Sequence, residues 1–502
     1  MSDSFVDTQK LLHLAVENFQ NGRLQEAKSY FREALAVAPE NFDALHLSGV
    51  LELQLGQPDR AEELISKALS INPNFADAHY NLGKVFQDQE RWKDAIASYQ
   101  RAVSLDPGLD VAHFNLGLIH GKQGDFENAI ASYQQAIQIN PRDWDYHFNL
   151  GVAFKSINDP ESAIQAYRTA SSLEPSKPEV NNNLGIIYKE LGNFEQAIVS
   201  FQQAIKINPD YADAHYNLAN AYETAGRLND ALDSYQKAIA CQPDLAKAHN
   251  NLANIYYTLG KEGQAEAEYQ RAVDLDPESF SSLHMLNSIR GITTETTPIQ
   301  YVESLFDKAA SGFENRLVGT LKYNSPKELK TDLVKLLGED RRFRNAVDLG
   351  CGTGLSGQAF RLLSDHLTGV DISSKMIAEA QRKEVYDTLS VGEILKFLEQ
   401  STETYDLFLA TDVMVYFGDL AAFFSTVKNR SMPGAYFLFS IEGLEGKNYS
   451  LRQSGRFAHS KEYIQNLAEE YQFSIESCQP TTVRMENDQP IPGFNFILRF
   501  SL

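Results

Sequence analysis

Along the first half of the chain, small apolar positions return with a period of 34 residues. Proline stands at Pro39, Pro73, Pro107, Pro141, Pro175, Pro209, Pro243 and Pro277. Alanine stands twelve residues before each, from Ala27 to Ala265, and again five before each, from Ala34 to Ala272. The two alanines of a unit are therefore seven residues apart, on one face of a helix. Ten residues after the prolines comes Gly49, Gly83, Gly117, Gly151 or Gly185, then Ala219 and Ala253, small enough to let a second helix approach closely. Gly22, Gly56, Gly124, Gly192, Gly226 and Gly260 fall where the two helices of a unit must turn. Asn158 and Glu90 replace that glycine in two units. Asparagine tolerates the left-handed conformation, whereas Glu90 predicts a different turn.

The period ends after Leu286, and the polar stretch 291–300, with four threonines and Pro298, reads as a linker. Beyond an N-terminal segment of the second half, short apolar runs at 346–349, 367–372, 389–391, 405–410 and 435–441 alternate with helical ones. That alternation predicts a parallel sheet covered on both faces. The runs 473–484 and 494–500 have no helix between them and predict an antiparallel edge.

A 34-residue helix-turn-helix unit of this kind resembles the tetratricopeptide repeat, and eight copies run from Thr8 to about Ser279. The resemblance implies an α-solenoid over residues 8–290, closed by a capping helix, whose concave face holds a protein or extended peptide. Eight residues after six successive prolines stand Asn81, Asn115, Asn149, Asn183, Asn217 and Asn251. Helix propensity does not select asparagine, but its amide matches a peptide bond. The ladder is similar to that of O-linked N-acetylglucosamine transferases, which makes these six the candidate peptide-binding residues; the alternative is that they cap or bridge neighbouring helices. His79, His113, His147, His215 and His249, two positions earlier, lie in different units and are read as packing residues rather than metal ligands.

At the end of the first predicted strand the chain reads V-D-L-G-C-G-T-G, from Val347 to Gly354. Glycine turns between strand and helix bring backbone close to a ligand. A dinucleotide fingerprint would need a third glycine where Leu355 stands, and Asp348 would repel a pyrophosphate. The pattern resembles motif I of class I methyltransferases, which bind S-adenosylmethionine. That resemblance implies a Rossmann-like, mostly parallel seven-stranded sheet over residues 301–502. It also implies cofactor contacts from Asp348, Gly350, Gly352, Gly354, Asp371, Glu393, Thr411 and Asp412. The second half further resembles predicted methyltransferases fused to tetratricopeptide repeats, through V-Y-D-T-L from Val385, T-D-V-M-V-Y-F from Thr411 and S-G-R-F-A-H-S from Ser454.

Asp412, Tyr416 and His459 are the candidates for a catalytic group, and Tyr323 for a cover over the cofactor. The segment Asp412 to Val415 lacks the N-P-P-Y or D-P-P-Y of enzymes that methylate adenine or glutamine nitrogen. Glu442 and Glu445 have the wrong spacing for arginine methylation and are expected on a solvated hairpin.

Composition narrows the class further. The 502 residues contain no run of eighteen apolar ones, and residues 1–19 are too acidic for a signal peptide, so neither membrane nor secretion is expected. Cys241, Cys351 and Cys478 are isolated, so no disulfide framework or metal site is encoded, and a cytoplasmic location is expected. A net charge of −22 disfavours nucleic acid. The segment up to Arg290 holds 39 acids and 23 bases, so the partner expected for the array is a neutral or basic polypeptide. The reading is an S-adenosylmethionine-dependent methyltransferase whose array recruits its partner or substrate. The alternatives are a scaffold with a regulatory methyltransferase-like domain and a small-molecule methyltransferase localised by its array.

Overall fold

The fold comes from a computed structural model, which describes residues 2–310, 312–486 and 489–501. Contacts divide the chain into two compact units, Met1–Gln242 and Pro243–Leu502.

The first unit is a stack of antiparallel helix pairs, such as Ala76–Asp88 with Trp92–Leu105 and Asp110–Lys122 with Phe126–Ile139. The sequence period explains the packing. A Cβ on Gly83, Gly117, Gly151 or Gly185 would lie 2.5–2.8 Å from the ring of Tyr99, Tyr133, Tyr167 or Phe201 on the second helix of the same unit. These rings are buried because the glycine faces admit them. Each pair turns through a left-handed residue, with φ between 70° and 78° at Gly56, Gly124, Gly192 and Gly226. Glu90 does the same, with φ 57°, and Asn158 with φ 59°. The different turn expected at Glu90 is therefore corrected. Arg91 N–H donates to Phe86 C=O at 2.8 Å, as Gln57 N–H does to Glu52 C=O at 2.9 Å, so the closing bond of the helix end is kept. A side chain in this region costs about 1–2 kcal/mol, which the stacking of the repeat overrides.

First helices of successive units touch directly, as Phe42–Gln54 does Ala76–Asp88 and Pro178–Glu190 does Ala212–Thr224. The asparagine ladder lies on these helices and is half-buried. Asn81 donates to His46 Nε2 at 3.1 Å, Asn217 to Asn182 Oδ1 at 3.0 Å, and Asn115 makes long contacts of 3.4–3.5 Å to the hydroxyls of Tyr99 and Tyr80. Asn149 donates within its own helix to Asp145, at 2.8 Å to Oδ1. Bridging between helices thus engages the amide donors of Asn81, Asn115 and Asn217. His79, His147 and His215 bond through Nε2 to the carbonyls of Pro73, Pro141 and Pro209 at 2.8–3.0 Å. Each imidazole satisfies a carbonyl in the connection between units.

The second unit begins with helices Ala246–Thr258, Glu262–Leu275 and Phe280–Arg290 and continues into a three-layer α/β domain. Its strands are β1 (Phe343–Leu349), β2 (Ser364–Asp371), β3 (Thr388–Val391), β4 (Tyr405–Ala410), β5 (Ser431–Leu444), β6 (Tyr449–Leu451), β7 (Phe457–Ser460), β8 (Phe473–Glu486) and β9 (Gln489–Phe500). The main sheet runs β3-β2-β1-β4-β5-β9-β8, parallel through β5 and antiparallel at β9 and β8. The short pair β6–β7 joins the far end of β5 and adds two strands to the expected seven. β4 and β5 are buried on both faces, with Phe408, Phe437 and Phe439 fully enclosed, as a sheet covered on both sides requires. No helix among the described residues is long and apolar enough to cross a membrane.

Glu442 is a second correction. It is 0% exposed at the end of β5 and bonded by Arg484 of β8, with Arg452 Nε 4.0 Å away; only Glu445 is exposed. The charge is buried because β8 brings it a guanidinium.

Candidate functional site

The first strand leads into three left-handed glycines at alternate positions, Gly350, Gly352 and Gly354, with φ 76°, 52° and 93°. A Cβ on Gly350 would sit 2.6 Å from Val413 Cγ2, so only glycine lets the turn after β1 pass the segment after β4. Above this turn, at the carboxyl ends of β1, β2 and β4, lies a cavity of 390 Å³. Gly350, Gly352, Asp371, Glu393, Thr411 and Asp412 line it, whereas Asp348 and Gly354 do not.

Asp371 ends β2, and its carboxylate is held by backbone donors: Gly352 N–H at 2.8 Å and Ser373 N–H at 2.9 Å. Burial pushes its pKa up and those two donors oppose the rise. Each oxygen keeps a further lone pair on the cavity wall. Asp348 lies beneath the turn, fully buried. Its Oδ2 accepts from Tyr386 O–H at 2.7 Å and its Oδ1 has no hydrogen-bond partner. Burial lifts its pKa to about 7; the Tyr386 bond opposes this and the Asp371 charge adds to it. Tyr386 also accepts Gly357 N–H at 3.1 Å and occupies the space a Cβ on Gly357 would need, 2.4 Å away. It pins the helix after the glycine turn to β1.

The opposite wall comes from the segment before β1. Phe306, Phe313, Leu317 and Tyr323 line the cavity, from helix Ile299–Ala309, the connection after it, a π-helical turn Asn315–Thr320 and the residues that follow. Asp307 accepts from Ser373 O–H at 2.5 Å, and Glu314 from Thr353 O–H at 2.6 Å, which fastens this segment over β2 and the glycine turn. Residues 291–300 are built into the domain. Glu295 C=O accepts Gly418 N–H and Asp419 N–H at 2.8 and 2.9 Å, and Thr297 N–H donates to Tyr416 C=O at 3.0 Å.

Of the catalytic candidates, Asp412 and Tyr416 line the cavity and His459 does not. Asp412 adopts φ 58°, and its carboxylate is 3.2–3.3 Å from Arg456, whose guanidinium lies 5.4 Å from the centre of the Tyr416 ring. His459, in β7, bonds through Nε2 to Gly418 C=O at 3.0 Å and is 0% exposed. Burial lowers its pKa to about 4, so it is a neutral internal strut. Sequence reading passed over Thr297, Tyr386 and Arg456. The only signal for them was position, next to Pro298 or inside the V-Y-D-T-L and S-G-R-F-A-H-S stretches.

Helical repeats followed by an α/β domain with a glycine-turn cavity define the class of protein. Comparison with known families finds matches to three models: a methyltransferase domain at residues 321–477, a tetratricopeptide repeat at 18–85, and, at 75–285, the model of the C-terminal domain of cilia and flagella-associated protein 70, to which that stretch is similar. Among curated proteins, the malonyl-[acyl-carrier protein] O-methyltransferase of Erwinia billingiae (strain Eb661) is 29% identical over 115 residues, 22% of this chain and 45% of that protein. The protein of that name from Yersinia pestis is 26% identical over 141 residues, 28% and 50% of the two chains. The chain thus spans about half the length of these relatives. Among solved structures, MamA is 26% identical over 32% of this chain and 95% of its own, with a TM-score of 0.31. The protein therefore combines tetratricopeptide repeats with a methyltransferase domain.

Proposed function

We propose that the C-terminal domain is an S-adenosylmethionine-dependent methyltransferase and that the array recruits a protein or peptide bearing the methyl acceptor. One observation supports the cofactor reading above the rest: a buried carboxylate, Asp371, is held by two backbone donors beside a glycine turn in which a Cβ on Gly350 would meet Val413. When bound, S-adenosylmethionine supplies an electrophilic methyl group on a positively charged sulfur. Asp371 would hold the ribose hydroxyls with its remaining lone pairs, and Glu393 would hold the adenine amino group. Gly350 and Gly352 would bring backbone to the cofactor, and Thr411 and Asp412 would hold its methionine end. Asp348 acts from below the turn, through its charge and through Tyr386. The apolar wall of Phe306, Phe313 and Leu317 excludes water from the reacting centre.

On the array, the asparagine ladder offers its remaining amide capacity to a peptide backbone, and the acidic composition of that half favours a neutral or basic one. Calorimetric titration of the full-length protein with S-adenosylmethionine tests the first half of the proposal. Saturable binding is expected, and Asp371→Ala should weaken it at least about 10-fold, since charge-assisted hydrogen bonds contribute about 1.5–3 kcal/mol. No binding by the unaltered protein would leave only the scaffold reading.

A further inference from the structure

Among the residues that line the cavity, Asp412 is the only one other than glycine with a positive φ, 58°. A side chain in that region is strained, and such strain persists only where the surroundings hold it. Two contacts hold Asp412. Its N–H donates to Ser440 Oγ of β5 at 2.9 Å, and its two carboxylate oxygens lie 3.2 and 3.3 Å from one guanidinium nitrogen of Arg456.

Arg456 is in turn fixed from outside the sheet. Its C=O accepts Arg452 N–H at 2.8 Å, and Gly455 N–H donates to Arg452 C=O at 2.9 Å, which closes residues 452–456 into a tight turn. That turn lies on helix Phe280–Arg290, the helix that follows the last repeat. His284 Nε2 bonds Gly455 C=O at 2.8 Å, and Ser288 Oγ lies 2.6–2.7 Å from the carbonyls of Arg452 and Gln453 and accepts Gly455 N–H at 3.2 Å. Gly455 has φ 75°, and a Cβ there would stand 3.0 Å from Met285 Sδ and 3.3 Å from the Tyr301 hydroxyl. Only glycine lets the turn approach the helix this closely. A continuous chain of contacts therefore runs from helix Phe280–Arg290, through the turn and Arg456, to a carboxylate on the cavity wall.

We propose that Arg456 is a positioning residue for the cofactor: braced by helix Phe280–Arg290, it aims the Asp412 carboxylate at the ammonium group of the methionine end. The helix after the last repeat thereby belongs to the cofactor site. The proposal rests on the cofactor reading above, in which Asp412 holds the methionine end. It divides the site in two, because Asp371 is held by its own backbone donors and owes nothing to Arg456.

The test titrates the full-length protein with S-adenosylhomocysteine, which carries the amino-acid end, and with methylthioadenosine, which lacks it. Arg456→Met should weaken S-adenosylhomocysteine about 10-fold, the loss of one hydrogen bond between charged groups, and leave methylthioadenosine within about twofold. Arg456→Lys keeps the charge and should lose less, with the same selectivity. Ser288→Ala touches neither ligand and should weaken S-adenosylhomocysteine about 3- to 5-fold, the effect of one neutral hydrogen bond relayed through the turn. Retained methylthioadenosine affinity reports that each variant is folded. Equal weakening of both ligands in Arg456→Met and Arg456→Lys would mean a merely structural role and overturn the proposal. Unchanged or tighter S-adenosylhomocysteine in Arg456→Met would also overturn it, since Arg456 would then only compete for Asp412. Indifference to Ser288→Ala would overturn the part given to the helix. These three results leave the cofactor reading intact, whereas failure of the unaltered protein to bind S-adenosylhomocysteine would overturn both.

Discussion

Cutting the chain at the boundary its sequence suggests should destroy the site that the cut is meant to isolate. A fragment starting at residue 301 loses Glu295 and Thr297, whose backbones make three hydrogen bonds to the segment Tyr416–Asp419. It also loses helix Phe280–Arg290, which supports the loop before β7. His284 Nε2 bonds Gly455 C=O at 2.8 Å, and Ser288 Oγ donates to Arg452 C=O at 2.7 Å and accepts from Gly455 N–H at 3.2 Å. That loop leads into Arg456 and so to Asp412. At about 1 kcal/mol net for each hydrogen bond, these six contribute roughly 6 kcal/mol. A domain has only about 5–15 kcal/mol of stability in total. Fragment 301–502 is therefore expected to be largely unfolded or molten, whereas fragment 243–502, which follows the compact unit, should melt cooperatively and bind S-adenosylhomocysteine. Urea denaturation with calorimetric titration of both fragments decides the matter. If 301–502 binds within about threefold of 243–502, the supporting role of residues 280–297 is refuted, since roughly 6 kcal/mol cannot vanish into so small a difference.

Two further outcomes are expected. Asn149→Ala combined with Asn183→Ala should weaken capture of peptides by the full-length protein about 10- to 30-fold, two hydrogen bonds' worth; unchanged capture would reject backbone clamping and leave these amides as bridges within the stack. Asp348 has its folded pKa raised to about 7, so its charge opposes folding as pH climbs from the unfolded value near 4 through 7. Asp348→Asn should accordingly leave stability almost unchanged at pH 4 and raise it by roughly 2–4 kcal/mol at pH 8. Denaturation midpoints that shift equally at both pH values would contradict the burial of an ionisable group there.

Much of the candidate site was legible because it is local. Gly350, Gly352, Asp371, Glu393 and Thr411 each sit at the end of a strand whose apolar run ends there, and a parallel sheet carries such ends to one edge. The stack of the first unit was legible for a similar reason: a repeat states its packing rule many times, so the small residue that admits a second helix is visible in the sequence, whereas the ring that fills its space is not. The errors arise where a residue's partner is remote. Glu442 looked solvated beside Glu445 until β8 placed Arg484 against it, 42 positions along the chain. His459 looked like a base until Gly418, 41 positions away, took its proton-bearing nitrogen. Glu90 looked incompatible with the common turn because local propensity was weighed without the neighbouring units that impose it.

The sequence by itself determined the two architectures, their order, and the glycine turn with its two acids, because period, alternation and strand-end motifs are properties of short windows. Only the tertiary structure decided which acid reaches the cavity and that residues 295–297 and Ile299 form part of its wall. It also decided that Tyr386 and Arg456 hold the charges in place. Those outcomes depend on burial and on pairing across dozens of residues, and both arise when the chain closes on itself.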